Sequence, residues 1–167
     1  KVYYAKAVYG KNEINAVTNV LKNSALSLMD GKKVKEFEKK VSDLFGKKYG
    51  LMVNSGSSAN LLAFASLNLK KGSEIITPTL TFSTTVAPIY QLGLKPKFID
   101  VQPNKYVANI DHIIKAITNK TKAIIINSPH NPSGRMLSFS DFKNLERILK
   151  KFPKCFLITD AIYEKLN

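Results

Sequence analysis

Cysteine is nearly missing from this sequence: Cys155 is the only one in 167 residues. That excludes an internal disulfide, and a lone thiol cannot build a zinc site. Its place before the apolar "FLI" reads as a small buried hydrophobe. Long apolar runs are missing too, since no stretch approaches the ~20 residues that cross a bilayer. The opening "KVYYAKAVYG" lacks the unbroken apolar core of a secretory signal, so no membrane partner and a cytoplasmic location are expected. Acidic residues are scarce, 12 against 26 basic ones, for a net charge of +14. Such an excess suggests nucleic acid, but arginine is almost absent as well, confined to Arg135 and Arg147. The lysines are scattered in pairs such as Lys32-Lys33, Lys39-Lys40 and Lys70-Lys71, without interleaved arginines and aromatics. They read as a solvated surface. No nucleic-acid partner is expected, while the positive field would attract phosphorylated small molecules.

What is present is the composition of a globular domain, 44% hydrophobic and 23% charged. Residues 11–22 place Ile14, Val17, Val20 and Leu21 on one helical face. A second helix is predicted over 32–46, with Val34, Phe37, Val41, Leu44 and Phe45 on its stripe and Gly46 as its stop. Short apolar strands then alternate with helices. Strands are predicted at 49–54, 74–77, 95–101, 121–127 and 155–160, and helices at 57–69, 82–91, 110–117 and 139–151. Several strands are continuous apolar runs, as in a sheet covered on both faces. The fold class is therefore α/β: three layers, a mostly parallel sheet flanked by helices. Residues 1–46 form an N-terminal helical segment and 47–167 the sheet-bearing part. There are no internal repeats.

Sheets of this kind bind ligands at the carboxyl ends of their strands. That rule selects "NSGSSAN" (54–60), "TPTLTF" (77–82), "NSPHNPSG" (127–134) and "TDAIY" (159–163). In the first, Gly56 allows close backbone approach, and the amides of Ser57 and Ser58 open a helix toward either a simple cap or an oxyanion. No lysine follows in the Walker spacing, so this is not a nucleotide P-loop. Phe82 is either core packing or a flat face for a planar ring. Asn131, forced out of helical geometry by the next proline, caps a turn or offers its amide to a ligand. His130 reads as a turn histidine rather than a base. Asp160 ends an apolar strand, where an unpaired carboxylate is costly, so it caps a helix or meets a cationic partner. Tyr163 can present its phenol to the same ligand. Together, these groups describe the contacts of one planar, phosphorylated pyridine.

The same segments resemble fold-type I pyridoxal-phosphate enzymes, over essentially the whole chain. From "YGKNEINAVTNVLK" to "NIDHIIKAITNKTKAIII" the sequence is similar to the DegT-type sugar aminotransferases, and "VNSGSSANLLA" is especially like their nucleotide-sugar 3-dehydratase branch. After residue 126, "NSPHNPSG" and "ITDAIYEKL" look more like class I/II amino-acid aminotransferases. The resemblance implies pyridoxal 5′-phosphate as cofactor, with its phosphate on Gly56, Ser57 and Ser58 and its ring stacked on Phe82. Asn131 and Tyr163 would hydrogen-bond the ring O3′. Asp160 would be the catalytic carboxylate, pairing with the pyridinium nitrogen.

The implied activity is transamination of a nucleotide-linked keto sugar from a donor such as glutamate, in amino-sugar or surface-polysaccharide synthesis, by a homodimer when intact. A 3-dehydratase, an amino-acid aminotransferase acting on 2-oxo acids, and a non-catalytic module of the same fold are the alternatives. The family's Schiff-base lysine lies some thirty or more residues past the aspartate. Lys165 is too close to fill that role, so the chain is expected to be a truncated, inactive piece, with the rest of the large domain and the small domain missing.

Overall fold

The computed structural model describes residues 6–164. The chain divides into two compact units, the first ending at Met52 and the second starting at Val53. The first unit holds α1 (Lys11–Asn23) and α2 (Lys32–Leu44). Helix α1 opens with the Gly10 amide donating to the Glu13 carboxylate at 2.7 Å, and this bond holds the Glu13 pKa below its usual value. Helix α2 ends as its sequence suggests. Gly46 takes φ +60°, and the amides of Gly46 and Lys47 return to the carbonyls of Asp43 and Ser42. That is a Schellman cap, which a residue with a side chain adopts only under strain.

The predicted strand at 49–54 does not form. An apolar run becomes a strand only where a neighbour takes up its amides, and here the Met52 amide donates to the Glu38 carboxylate at 2.8 Å. Tyr49 and Leu51 stay exposed.

The second unit contains α3 (Gly56–Ser66), β1 (Glu74–Pro78), α4 (Ser83–Gln91), β2 (Lys95–Ile99), α5 (Ile110–Ala116), β3 (Thr121–Asn127), α6 (Phe139–Lys151) and β4 (Phe156–Asp160). Its sheet has the order β2-β1-β3-β4, with every pairing parallel. Strand β2 stops at Ile99, short of the predicted 101, because Val101 turns to bridge Ala108 in the antiparallel sense. Helix α3 likewise ends at Ser66, before the predicted 69.

Alternation along the strands separates two cores. On one face Ile75, Ala123 and Ile125 pack with Phe64 of α3 and Ile89 of α4. On the other, Ile76, Ile99, Ile124 and Ile126 pack with Ile110 and Ile113 of α5 and Leu145 and Ile148 of α6. The expected three layers are present.

The order also explains which helix lies on which face. From β1 the chain moves outward through α4 to β2, then steps back across β1 through α5 to β3, and onward through α6 to β4. Crossovers of one hand put their helix on opposite faces when the direction of travel reverses. The reversal falls between β1 and β3, and in sheets of this kind ligands bind at that point, outside the carboxyl ends of the strands.

Candidate functional site

The alternation that builds the α3/α4 face continues to the strand ends. Two residues beyond Ile75 stands Thr77, two beyond Ile125 stands Asn127, and two beyond Ile158 stands Asp160. The sheet therefore brings a row of polar side chains to its carboxyl edge, beneath the N-termini of α3 and α4. Asn127 and Asp160 are register partners.

Asn127 is the keystone. Only 3% exposed, it donates from Nδ2 to the Asp160 carbonyl (2.8 Å) and the Pro129 carbonyl (3.3 Å). Its Oδ1 accepts from the Asn131 amide at 2.7 Å and from the Thr81 hydroxyl at 3.4 Å. One side chain thus ties the loop after β1, the loop after β3 and the end of β4. His130, 1% exposed, pins the same loops from another direction. Its Nε2 donates to the Leu80 carbonyl (3.1 Å), and its Nδ1 meets the Ser133 hydroxyl (2.7 Å). The histidine is a turn residue, as its sequence setting suggests.

The Asp160 carboxylate is gripped on one oxygen. Oδ2 accepts from the Thr85 hydroxyl at 2.8 Å and from the Asn60 amide at 3.1 Å, whereas Oδ1 has no hydrogen bond among the described residues. Thr85 also donates its backbone amide to the Phe82 carbonyl at 2.9 Å. Asp160 is therefore one residue removed from Phe82 through α4, and it touches Asn60 in the second turn of α3. Phe82 stands at the N-cap of α4 rather than within the helix, and it is 50% exposed. Core packing, one of its two sequence readings, does not describe it.

At the start of α3 the cap is real. The Ser55 hydroxyl accepts from the Ser58 amide at 3.2 Å and lies 3.2 Å from the Ser58 hydroxyl. The amide of Ser58, which the sequence left to either a cap or an oxyanion, is engaged by the cap. The amides of Gly56 and Ser57 have no acceptor among the described residues, as the first donors of any helix lack one. Around Gly56 only Ile162, in the turn after β4, approaches the position of a Cβ, at 3.6 Å. Tyr163 lies half-buried in that turn, and among the described residues its phenol makes no hydrogen bond. Lys165 lies outside the described residues.

Phe82, Asn131 and Asp160 are thus joined through Thr85 and Asn127, and Asn60 links Asp160 to α3, the helix that Gly56 and Ser57 open; sequence reasoning nominated none of these three connecting residues. A signal for Asn127 existed. It ends the buried strand "TKAIIIN", where an unpaired amide is as costly as the unpaired carboxylate that drew notice to Asp160. Free helix-start amides beside serine hydroxyls suit a phosphate, and an open carboxylate oxygen suits a protonated ring nitrogen.

The parallel α/β sheet with helices on both faces matches solved pyridoxal-phosphate-dependent enzymes, which sets the class of fold. More narrowly, the chain belongs to the DegT/DnrJ/EryC1/StrS aminotransferase family, whose model matches residues 8–161. It is 37% identical over 136 residues to the GDP-4-keto-6-deoxy-D-mannose 3-dehydratase of Yersinia pseudotuberculosis, covering 77% of this chain and 34% of that protein. The solved E. coli GDP-4-keto-6-deoxy-D-mannose-3-dehydratase with bound hydrated pyridoxal phosphate superposes with a TM-score of 0.79 at 35% identity, over 94% of this chain and 40% of that one. An aminotransferase from Psychrobacter cryohalolentis shares the fold at 22% identity, with a TM-score of 0.79 over 95% of this chain and 38% of that one. The chain spans about a third of the length of the curated relative. Among the described residues no helix is long and apolar enough to cross a membrane, and no cluster of potential metal ligands occurs.

Proposed function

We propose that the second unit is the N-terminal part of a cofactor-binding large domain that holds pyridoxal phosphate or its amine form. The intact enzyme would act on a nucleotide-linked keto sugar. The observation that carries this reading is the carboxylate of Asp160, held on Oδ2 and open on Oδ1 among the described residues, and linked through Thr85 to the backbone of the half-exposed Phe82 and through Asn60 to α3. When bound, the cofactor supplies a ring that accepts the electrons released as a bond at the attached carbon breaks. The protein's share is binding and orientation. Gly56 and Ser57 amides, with the hydroxyls of Ser57 and Ser58, hold the phosphate. Phe82 stacks on one ring face, and Asn131 and Tyr163 hold O3′. Asp160 Oδ1 keeps a proton on the ring nitrogen.

Of the two chemistries the family suggests, we favour removal of the C-3 hydroxyl, because relatives of 37% and 39% identity are GDP-4-keto-6-deoxy-D-mannose 3-dehydratases. Amino transfer is the second reading, supported by the description of the matching family. The test incubates the intact protein with pyridoxal phosphate, glutamate and GDP-4-keto-6-deoxymannose, and identifies the products by mass spectrometry. Loss of the 3-oxygen supports dehydration. An aminated sugar supports transfer. An unchanged sugar together with no cofactor binding overturns the proposal.

A further inference from the structure

Resting on that reading, we infer that Thr85 and Asn60 are positioning residues, which fix the Asp160 carboxylate so that only Oδ1 faces the cofactor. Both donors meet the same oxygen, at 2.8 Å and 3.1 Å. Both are neutral, so they orient the carboxylate plane without adding a charge that would compete with a pyridinium. The two come from different helices, and each is itself held. Thr85 is fully buried near the start of α4, where its amide closes onto the Phe82 carbonyl. Asn60, 8% exposed, is fixed by a feature of α4 that sequence rules alone would count as a defect.

Pro88 lies inside that helix and has no N–H, so the Thr84 carbonyl loses its intrahelical donor. The Asn60 amide takes the vacated place, donating to the Thr84 carbonyl at 3.4 Å and to Asp160 with the same nitrogen. The proline thus frees an acceptor that draws Asn60 toward α4, and Asn60 in turn reaches Asp160. Bonds to the Asp160 carbonyl complete the clamp, from the Ser128 backbone amide at 3.2 Å and from the Asn127 side-chain Nδ2 at 2.8 Å. The carboxylate is therefore immobilised from α3, α4 and β3 before any ligand arrives. That arrangement suits a group whose work is to meet a ring nitrogen at one fixed angle.

The experiment compares full-length wild type with Thr85→Val, Thr85→Ser and Asp160→Ala, each checked by thermal melting. Affinity for pyridoxamine 5′-phosphate is read by fluorescence, and the ring nitrogen's protonation by the 15N shift of labelled cofactor across pH. Thr85→Val, isosteric but without the donor, is expected to bind about 10-fold more weakly, and Thr85→Ser within about 3-fold of wild type, on the scale of a hydrogen bond to a charged group. The ring nitrogen should lose its proton at lower pH in Thr85→Val than in wild type or Thr85→Ser. If Thr85→Val does not fold, Asn60→Ala carries the same comparison. Wild-type affinity and an unmoved nitrogen titration in the valine variant, with Asp160→Ala impaired, overturn the positioning role alone. Equal behaviour of wild type and Asp160→Ala overturns the cofactor reading beneath it.

Discussion

Replacing Asn127 with Ala should loosen the whole carboxyl edge of the sheet, and the size of the effect follows from its bonds. The side chain is 3% exposed and serves the Asp160 carbonyl, the Pro129 carbonyl, the Asn131 amide and the Thr81 hydroxyl. Two of these have recourse. The Asp160 carbonyl keeps the Ser128 amide as donor, and the half-buried Thr81 hydroxyl can turn to water. The loss therefore centres on the Asn131 amide and the buried Pro129 carbonyl. A buried group left unsatisfied costs ~1–3 kcal/mol, and with the Asn131 amide on a half-buried residue its share lies at the low end, so the pair sets the total at ~2–4 kcal/mol. With a urea m-value of ~2 kcal/mol/M, the middle of the usual range, the unfolding midpoint should drop by about 1–2 M. Far-UV circular dichroism at fixed temperature measures it, with the exposed-site variant Lys105→Ala as control. Asn127→Asp is the sharper probe. It retains an acceptor for the Asn131 amide but turns the donor into an oxygen facing two carbonyls, so its midpoint should fall at least as far. A midpoint for Asn127→Ala equal to that of the control would refute the keystone role.

Thr77→Val removes a fully buried hydroxyl that has no hydrogen-bond partner among the described residues, and should leave stability unchanged or raise it by about 1 kcal/mol in the same urea assay. Phe82→Ala, at a half-exposed ring, should barely move the midpoint yet weaken cofactor binding by about 3- to 10-fold, the worth of an aromatic stack. Burial pushes the Cys155 thiol up to about 11, against a weaker opposing pull from Lys122. Alkylation of the native chain should therefore keep accelerating above pH 9, where an unfolded thiol levels off. Because the folded value is the higher one, the thiol's contribution to stability is complete below the unfolded value near 9 and is lost as pH climbs through 11.

The sheet was readable because its strands are dense with isoleucine and are punctuated by helices whose polar and apolar faces repeat regularly. "TKAIIIN" and "EIIT" became β3 and β1 almost residue for residue. The segment "YGLMVN" carries the same apolar signal and failed, since hydrophobicity says nothing about whether a neighbouring strand is within reach. At the site, strand-end position alone picked out Asp160, and the turn chemistry of "HNPSG" picked out Asn131. Asn60 and Thr85 were invisible for a different reason. A lone Asn or Thr inside a helix is unremarkable until another element brings an acceptor to it, and Asp160 lies 100 residues from Asn60 and 75 from Thr85. Ser58 had two sequence readings, a cap or an anion contact, and nothing local chose between them. In the structure its amide goes to the hydroxyl three residues earlier.

The measurement closest to the central claim is a crystal structure of the intact protein with pyridoxamine 5′-phosphate bound. The ring nitrogen should lie on Asp160 Oδ1, the ring against Phe82, and the phosphate on the amides of Gly56 and Ser57. A ligand seated elsewhere, or a ring whose nitrogen has no contact with Asp160, would contradict it.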